Sequence, residues 1–289
     1  MDWLYNFPLK LSIDLGAIDN AVKGFSVKYD DFFSIVKKGL SNFVGSINNV
    51  LDFIPWLVLV LFVVIVTWRI SGKIRNGLLY GLMLFIIGAL GLWSLMIETL
   101  SIIIASVIIA LLLGFPVGIL ASTSDRFDRI IRPILDTMQT MPVFVYLIPA
   151  MMLFGLGKPP AVIATTVYAI VPMIRLTNHG IRQIDKEIVE ASLAFGSTKM
   201  QSLIKVQIPQ ALPTIMTGVN QTLMMAMSMV VTTSMIGASG LGMEVLIAVN
   251  RVEMGRGLVS GIAVVIIAII LDRITQGLIQ RSEVEADGE

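Results

Sequence analysis

The sequence predicts an all-α integral membrane protein with about seven transmembrane helices. Three observations predict it: 56% of the 289 residues are hydrophobic and only 14% are charged, mean hydropathy is +0.86, and the apolar residues fall in long runs flanked by charge. A soluble domain of this length carries more charge and less apolar surface. The absence of cysteine excludes a disulfide framework and a thiolate metal site. A formal net charge of +1 supplies no basic field for nucleic acid.

Residues 1–53 read as an extracytoplasmic segment that lacks the basic start and continuous apolar core of a cleaved signal peptide. From Phe33 through Val36, Leu40, Phe43, Val44, Ile47, Leu51 and Ile54, apolar residues recur at three- and four-residue steps. Asp31, Lys37, Lys38, Ser41 and Asn48 lie elsewhere on the wheel. That spacing predicts an amphipathic helix, either lying along the outer membrane surface or packing as a further helix of the bundle.

Apolar runs follow, judged against the roughly 20 residues that cross about 30 Å of hydrocarbon. Runs 54–66 and 77–93 form two accessory helices within residues 54–96, joined by a short loop holding Lys73 and Arg75. The run 100–121 opens a core of residues 97–277. Runs 142–156 and 161–173 return antiparallel through Gly157-Lys158-Pro159-Pro160. Runs 214–236 and 258–271 flank the glycine-rich stretch from Gly237 to Gly242, and residues 278–289 form a tail. Trp3, Trp56, Trp68 and Trp93 fall at span edges or outside the spans, which suits interfacial anchoring better than a ligand cage.

Placing Arg69, Lys73 and Arg75 in the cytoplasm puts Arg126, Arg129, Arg132, Arg175, Arg182, Lys186, Lys199, Lys205, Arg273 and Arg281 there too. The opposite loops between spans hold only Lys158, Arg251 and Arg256. The positive-inside rule then sets the N-terminus outside and the C-terminus in the cytoplasm of a multi-pass protein of the cell membrane.

The polar stretch at about 175–212 is the candidate site. Helical residues 184–194 and 199–206 are expected to flank a turn at Gly196, making a compact knob. Ala191 and Ser192 are small enough for another protein's backbone to approach, Phe195 and Leu203 offer apolar anchors, and Glu190 offers a charge. Pro209 and Pro213 are expected to start the next span, since proline is tolerated in a first helical turn. Glu190-Ala191-Ser192, Gly196, Val206-Gln207-Ile208-Pro209 and Pro213 together resemble the coupling-loop signature of permease subunits in ATP-binding-cassette importers. Ser192 stands where the family has a second alanine, Val206 where it has isoleucine and Ile208 where it has leucine; all three keep size.

The resemblance extends over about residues 122–277. Arg129-Ile130-Ile131-Arg132-Pro133-Ile134-Leu135-Asp136, Met138-Gln139-Thr140-Met141-Pro142 and Gly218-Val219-Asn220-Gln221-Thr222-Leu223 are similar to the quaternary-amine branch of these permeases. So is Leu271-Asp272-Arg273-Ile274-Thr275-Gln276. The resemblance implies a type I importer fold and ATP-driven import of glycine betaine, proline betaine and sometimes choline or carnitine as osmoprotectants. It implies as partners two cytoplasmic ATPase subunits that bind ATP-Mg, an extracytoplasmic substrate-binding protein and a second permease copy, with a homodimer the expected form. The chain itself is then a transport subunit, not an enzyme, with no cofactor and no metal. A permease for another small solute, such as choline, carnitine or an amino acid, and a non-transporting membrane scaffold are the alternatives.

What the chain lacks agrees with that division of labour. Gly155-Leu156-Gly157-Lys158 lacks the first glycine of a phosphate loop and runs into proline. The middles of the runs are uncharged, which disfavours an ion-driven carrier, since Glu98 precedes the third run and Asp272 follows the seventh. A lone histidine, His179, reads as a solvated side chain of the polar stretch. A translocation path needs a polar lining, and Thr217, Gln221, Met224, Ser228 and Thr232 recur at helical spacing, with Gln139 and Met141 as further candidates. Hydrogen bonding between helices explains such a stripe equally well.

Overall fold

In hydrocarbon every backbone N–H and C=O must bond within its own segment, so apolar runs of this length become helices. The computed structural model describes residues 14–287; the expectations for residues 1–13, Trp3 among them, and for the last two residues fall outside it. In chain order, α1 (Leu15–Lys28) and α2 (Asp30–Phe53) precede α3 (Trp56–Ser71), α4 (Ile74–Ala89) and α5 (Trp93–Thr123). Next come α6 (Asp125–Thr140), α7 (Phe144–Phe154), α8 (Lys158–Arg182), α9 (Lys186–Ala194) and α10 (Lys199–Ser202). A π-helical turn, Leu203–Gln207, leads into α11 (Ile208–Ser228), followed by α12 (Val230–Ser234), α13 (Leu241–Arg251) and α14 (Met254–Asp287).

Each apolar run falls on a helix, but the helices are unequal. Three of those described are long and apolar enough to cross a membrane singly: α5, α8 and Met254–Gly277 of α14. The count reaches five if α2 with α3, bent by 91°, and α6 with α7, bent by 95°, each count as one broken span. The run at 142–156 yields only the 11 residues of α7. The run at 214–236 belongs to a helix that starts earlier, at Ile208, and breaks at Met229.

The crossing of α5 and α8 is the centre of the bundle. Gly118 lets it close, because a Cβ there would meet Thr177 Cβ at 2.6 Å and the Ile174 carbonyl at 2.9 Å. Small residues at such crossings let backbones approach, which is how helices pack when lipid removes the hydrophobic drive. On one side Met96, Ile97 and Ile103 of α5 pack with Leu84 and Ile87 of α4, Leu241 of α13 and Ile267 of α14. On the other, Ile102 packs with Leu147 of α7, Val162 of α8 and Val44 of α2. Val44 is fully buried, so α2 seals against the bundle with its apolar stripe.

Helix ends depart from the expected ones for tertiary reasons. The third run starts earlier than expected, so Glu98 lies inside α5, where it pairs with Lys158 at 3.4 Å. Arg175 and His179 belong to α8 and not to a loop, because the last turns of α8 are paired to α6. Asn178 donates to Asp128 Oδ1 at 2.7 Å and Arg182 to Asp125 Oδ1 at 2.7 Å, and Arg175 also bonds Asp136. The helix α13 was not expected: its 11 residues include Glu244, Asn250 and Arg251, and its first N–H, on Leu241, donates to Thr99 Oγ1 of α5 at 2.8 Å.

Candidate functional site

The polar stretch narrows to two short helices, α9 and α10, projecting from the end of α8. Asp185 caps α9 by accepting the Glu187 N–H at 2.9 Å. A capping box starts α10: the Gln201 N–H donates to Thr198 Oγ1 at 3.2 Å, and the Thr198 N–H to Gln201 Oε1 at 2.8 Å. Between them Gly196 has φ +88°, a left-handed conformation that a side chain resists even though no atom would crowd its Cβ. The two helices are pinned at their base by the Ser192 and Ser202 hydroxyls, 2.7 Å apart. Ser202 is buried and also accepts from Gln207 Nε2 at 3.4 Å.

That geometry sorts the expected site residues. Phe195 is 92% exposed and Glu190 and Ala191 are exposed, so the tip is free to touch another molecule. Glu190 pairs with no cation among the described residues. Leu203 is not an exposed anchor: it is 8% exposed and packs inward with Met173, Ile181, Ala211 and Ile215. It fastens the knob to α8 and α11. Ser192 likewise spends its hydroxyl on the partner helix. Ile188, Met200 and Ile204 supply the exposed apolar surface that Leu203 does not. Apolar residues in an otherwise charged stretch were the available signal for them.

The second helical stretch, expected at 199–206, does not stop. Ser202, Leu203, Gln207 and Ile208 all keep right-handed helical angles, so α10, the π turn and α11 form one continuous path from Lys199 to Ser228. Val206 and Ile208 are half-buried along it and Pro209 is exposed in the first turn of α11. Pro213 lies inside α11, not at its start. Its own carbonyl accepts the Thr217 hydroxyl at 3.1 Å. A π turn carries one residue more than the helix around it, and such turns concentrate at functional positions.

The candidate path residues are only partly gathered. Gln221 and Ser228 are exposed and Thr217 and Met224 half-buried along one face of α11, with Leu212 also exposed. Ser228 turns its hydroxyl back onto the Met224 carbonyl at 3.0 Å. Thr232 lies past the break at Met229, in α12, and Gln139 and Met141 sit on α6 and at its end. At the α8 end, the Arg182 guanidinium holds the Asp125 carboxyl below the usual carboxylate range. Asp128 is 7% exposed and takes bonds from both Arg132 and Asn178, each at 2.7 Å. The clasp fixes α6 on α8 just above the knob.

The described residues form a helical membrane bundle that ends in an exposed knob leading into a core helix. Residues 110–284 match the family described as the binding-protein-dependent transport system inner membrane component, and the chain belongs to that family. It is 44% identical over 275 residues to the glycine betaine/carnitine transport permease protein GbuB of Listeria monocytogenes, spanning 93% of this chain and 96% of that one. It is 44% identical over 279 residues to the glycine betaine transport system permease protein OpuAB of Bacillus subtilis, spanning 96% of each. The inward-facing MetNI methionine ABC transporter shares the fold, with a TM-score of 0.59 at 22% identity over 64% of this chain and 93% of that one.

Proposed function

We propose that this chain is the permease subunit of an ATP-driven importer of glycine betaine and related quaternary-amine solutes, and that the knob couples it to its motor. The observation that carries the coupling is the unbroken helical path that starts at Lys199, just past the exposed tip at Phe195–Gly196, and runs through the π turn into α11. A partner ATPase that binds ATP-Mg grips Phe195, Met200 and Glu190. Closure of two such ATPases displaces the knobs, and α11, continuous with its own knob, changes tilt and turns its Thr217, Gln221 and Ser228 face between the two sides of the membrane. The substrate class is supported by the near full-length similarity to glycine betaine permeases. Relatives named for carnitine alone and for choline alone stand further off, each at 29% identity.

In this reading the N-terminus is extracytoplasmic and the knob cytoplasmic, a soluble binding protein delivers solute from outside, and a second copy of the chain covers the open face of α11. The chain hydrolyses nothing itself. Uptake of labelled glycine betaine into vesicles holding this chain, its ATPase and its binding protein tests the proposal. ATP-dependent accumulation blocked by unlabelled betaines is expected. An active ATPase with no accumulation of any trimethylammonium solute would remove the substrate assignment, and ATPase activity indifferent to the permease would remove the coupling.

A further inference from the structure

At the end of the bundle away from the knob, α2 and α4 finish where α3 and α5 begin. There an open cavity of about 550 Å³ is lined by Asp52 of α2, Trp56 of α3, Phe85 of α4 and Trp93 of α5. The Trp56 and Phe85 rings lie 6.1 Å apart at 54°. Gly88 contributes by omission, since a Cβ there would meet the Trp93 ring at 3.4 Å. The sequence placed these tryptophans singly at span edges, as interfacial anchors. Folding brings two of them, from different helices, around one space with a carboxylate.

The charge of that space is set by Asp52. Two helices end there and two begin, so the helix dipoles oppose one another. No lysine or arginine lines the cavity, and Asp52 is in no ion pair among the described residues. Its carboxylate takes one hydrogen bond, from the Asn48 amide at 3.2 Å, and Asn48 in turn accepts from Ser101 of α5 at 3.3 Å, which holds Asp52 in place.

We propose that this cavity binds a fully alkylated ammonium group, such as trimethylammonium, between the aromatic rings and Asp52. Aromatic faces attract a large, weakly hydrated cation through the ring quadrupole. A primary ammonium needs acceptors for three N–H donors, and a divalent metal needs several oxygens. With one side-chain carboxylate among aromatic lining residues the cavity suits an alkylated ammonium, which requires no acceptor at all. The lining also has no cation to hold the carboxylate of a zwitterion, so binding follows the ammonium end of the ligand. This inference rests on the cavity alone and survives if the importer reading fails; only its extracytoplasmic placement borrows from that reading.

The test uses the full chain with Trp3 and Trp68 changed to phenylalanine, which leaves Trp56 and Trp93 as reporters. The protein is held in phosphatidylglycerol/phosphatidylethanolamine nanodiscs that contain no choline headgroup. Tetramethylammonium chloride is titrated against sodium chloride at constant ionic strength. A saturable fluorescence change specific to tetramethylammonium is expected, weakened about tenfold in Asp52→Asn and in Phe85→Leu. A response equal to that of sodium, or one that neither variant alters, overturns the proposal. Repeating the titration in phosphatidylcholine nanodiscs separates the sources. A response lost there assigns the site to a lipid headgroup, and a response retained assigns it to a soluble onium; both support the proposal.

Discussion

At the tip of the knob, Gly196 and Phe195 separate two requirements that sequence spacing alone runs together. Gly196 is required by its backbone, with φ +88° and open space around it. Phe195 is required by nothing inside the chain, being 92% exposed. Replacing Gly196 by valine is therefore expected to strain the turn by about 1–2 kcal/mol and misdirect the tip. The protein should still insert and run as a monodisperse peak, while betaine-stimulated ATPase activity and uptake are lost; Gly196→Asn, which tolerates that conformation, should retain part of both. Phe195→Ala should leave the melting temperature unchanged and reduce coupled ATPase activity. Normal coupling in Phe195→Ala would show that the tip is not the contact. Asp128 is the opposite kind of residue, buried and doubly bonded. Asp128→Ala leaves the Asn178 amide without its acceptor and should cost about 2 kcal/mol, read as a lowered melting temperature in detergent.

Between elements, close approach decides the architecture. The crossing of α5 on α8 has no room for a larger residue at Gly118, where a Cβ would already lie 2.6 Å from Thr177 Cβ. Gly118→Leu should therefore separate the two helices and destabilise the fold by about 3 kcal/mol or more. The expected readout is loss of the monodisperse peak on size exclusion after detergent extraction; a variant that extracts and melts like the parent would mean that α8 can shift aside. The same logic explains why α8 outruns its apolar stretch. Its polar end is stabilised by the carboxylates of α6, a contact between residues about 40–60 positions apart that local periodicity does not encode. The π turn joins α10 to α11 without a break in right-handed helical angles, with Leu203 buried and Ile204 exposed.

At the scale of the whole molecule, one face of α11 is open, with Leu212, Gln221 and Ser228 exposed along it. Because the chain contains no cysteine, Gln221→Cys introduces a unique thiol on that face. A bifunctional maleimide applied in membranes should yield a cross-linked dimer if a second copy covers the face, and monomer alone would assign it elsewhere. The sequence by itself determined the class: composition, apolar runs and flanking charges leave little but a helical membrane protein, because hydrocarbon accepts few other backbones. It also determined the turn of the knob at Gly196, a local feature with a local consequence. The tertiary structure alone decided which residues of the knob face outward, since Leu203 and Met200 are both apolar and only their surroundings bury one and expose the other. It likewise decided that Trp56, Phe85 and Trp93 share a cavity with Asp52, because burial and convergence depend on partners far away in the chain, and a pattern read along one strand of residues carries no record of what packs across it.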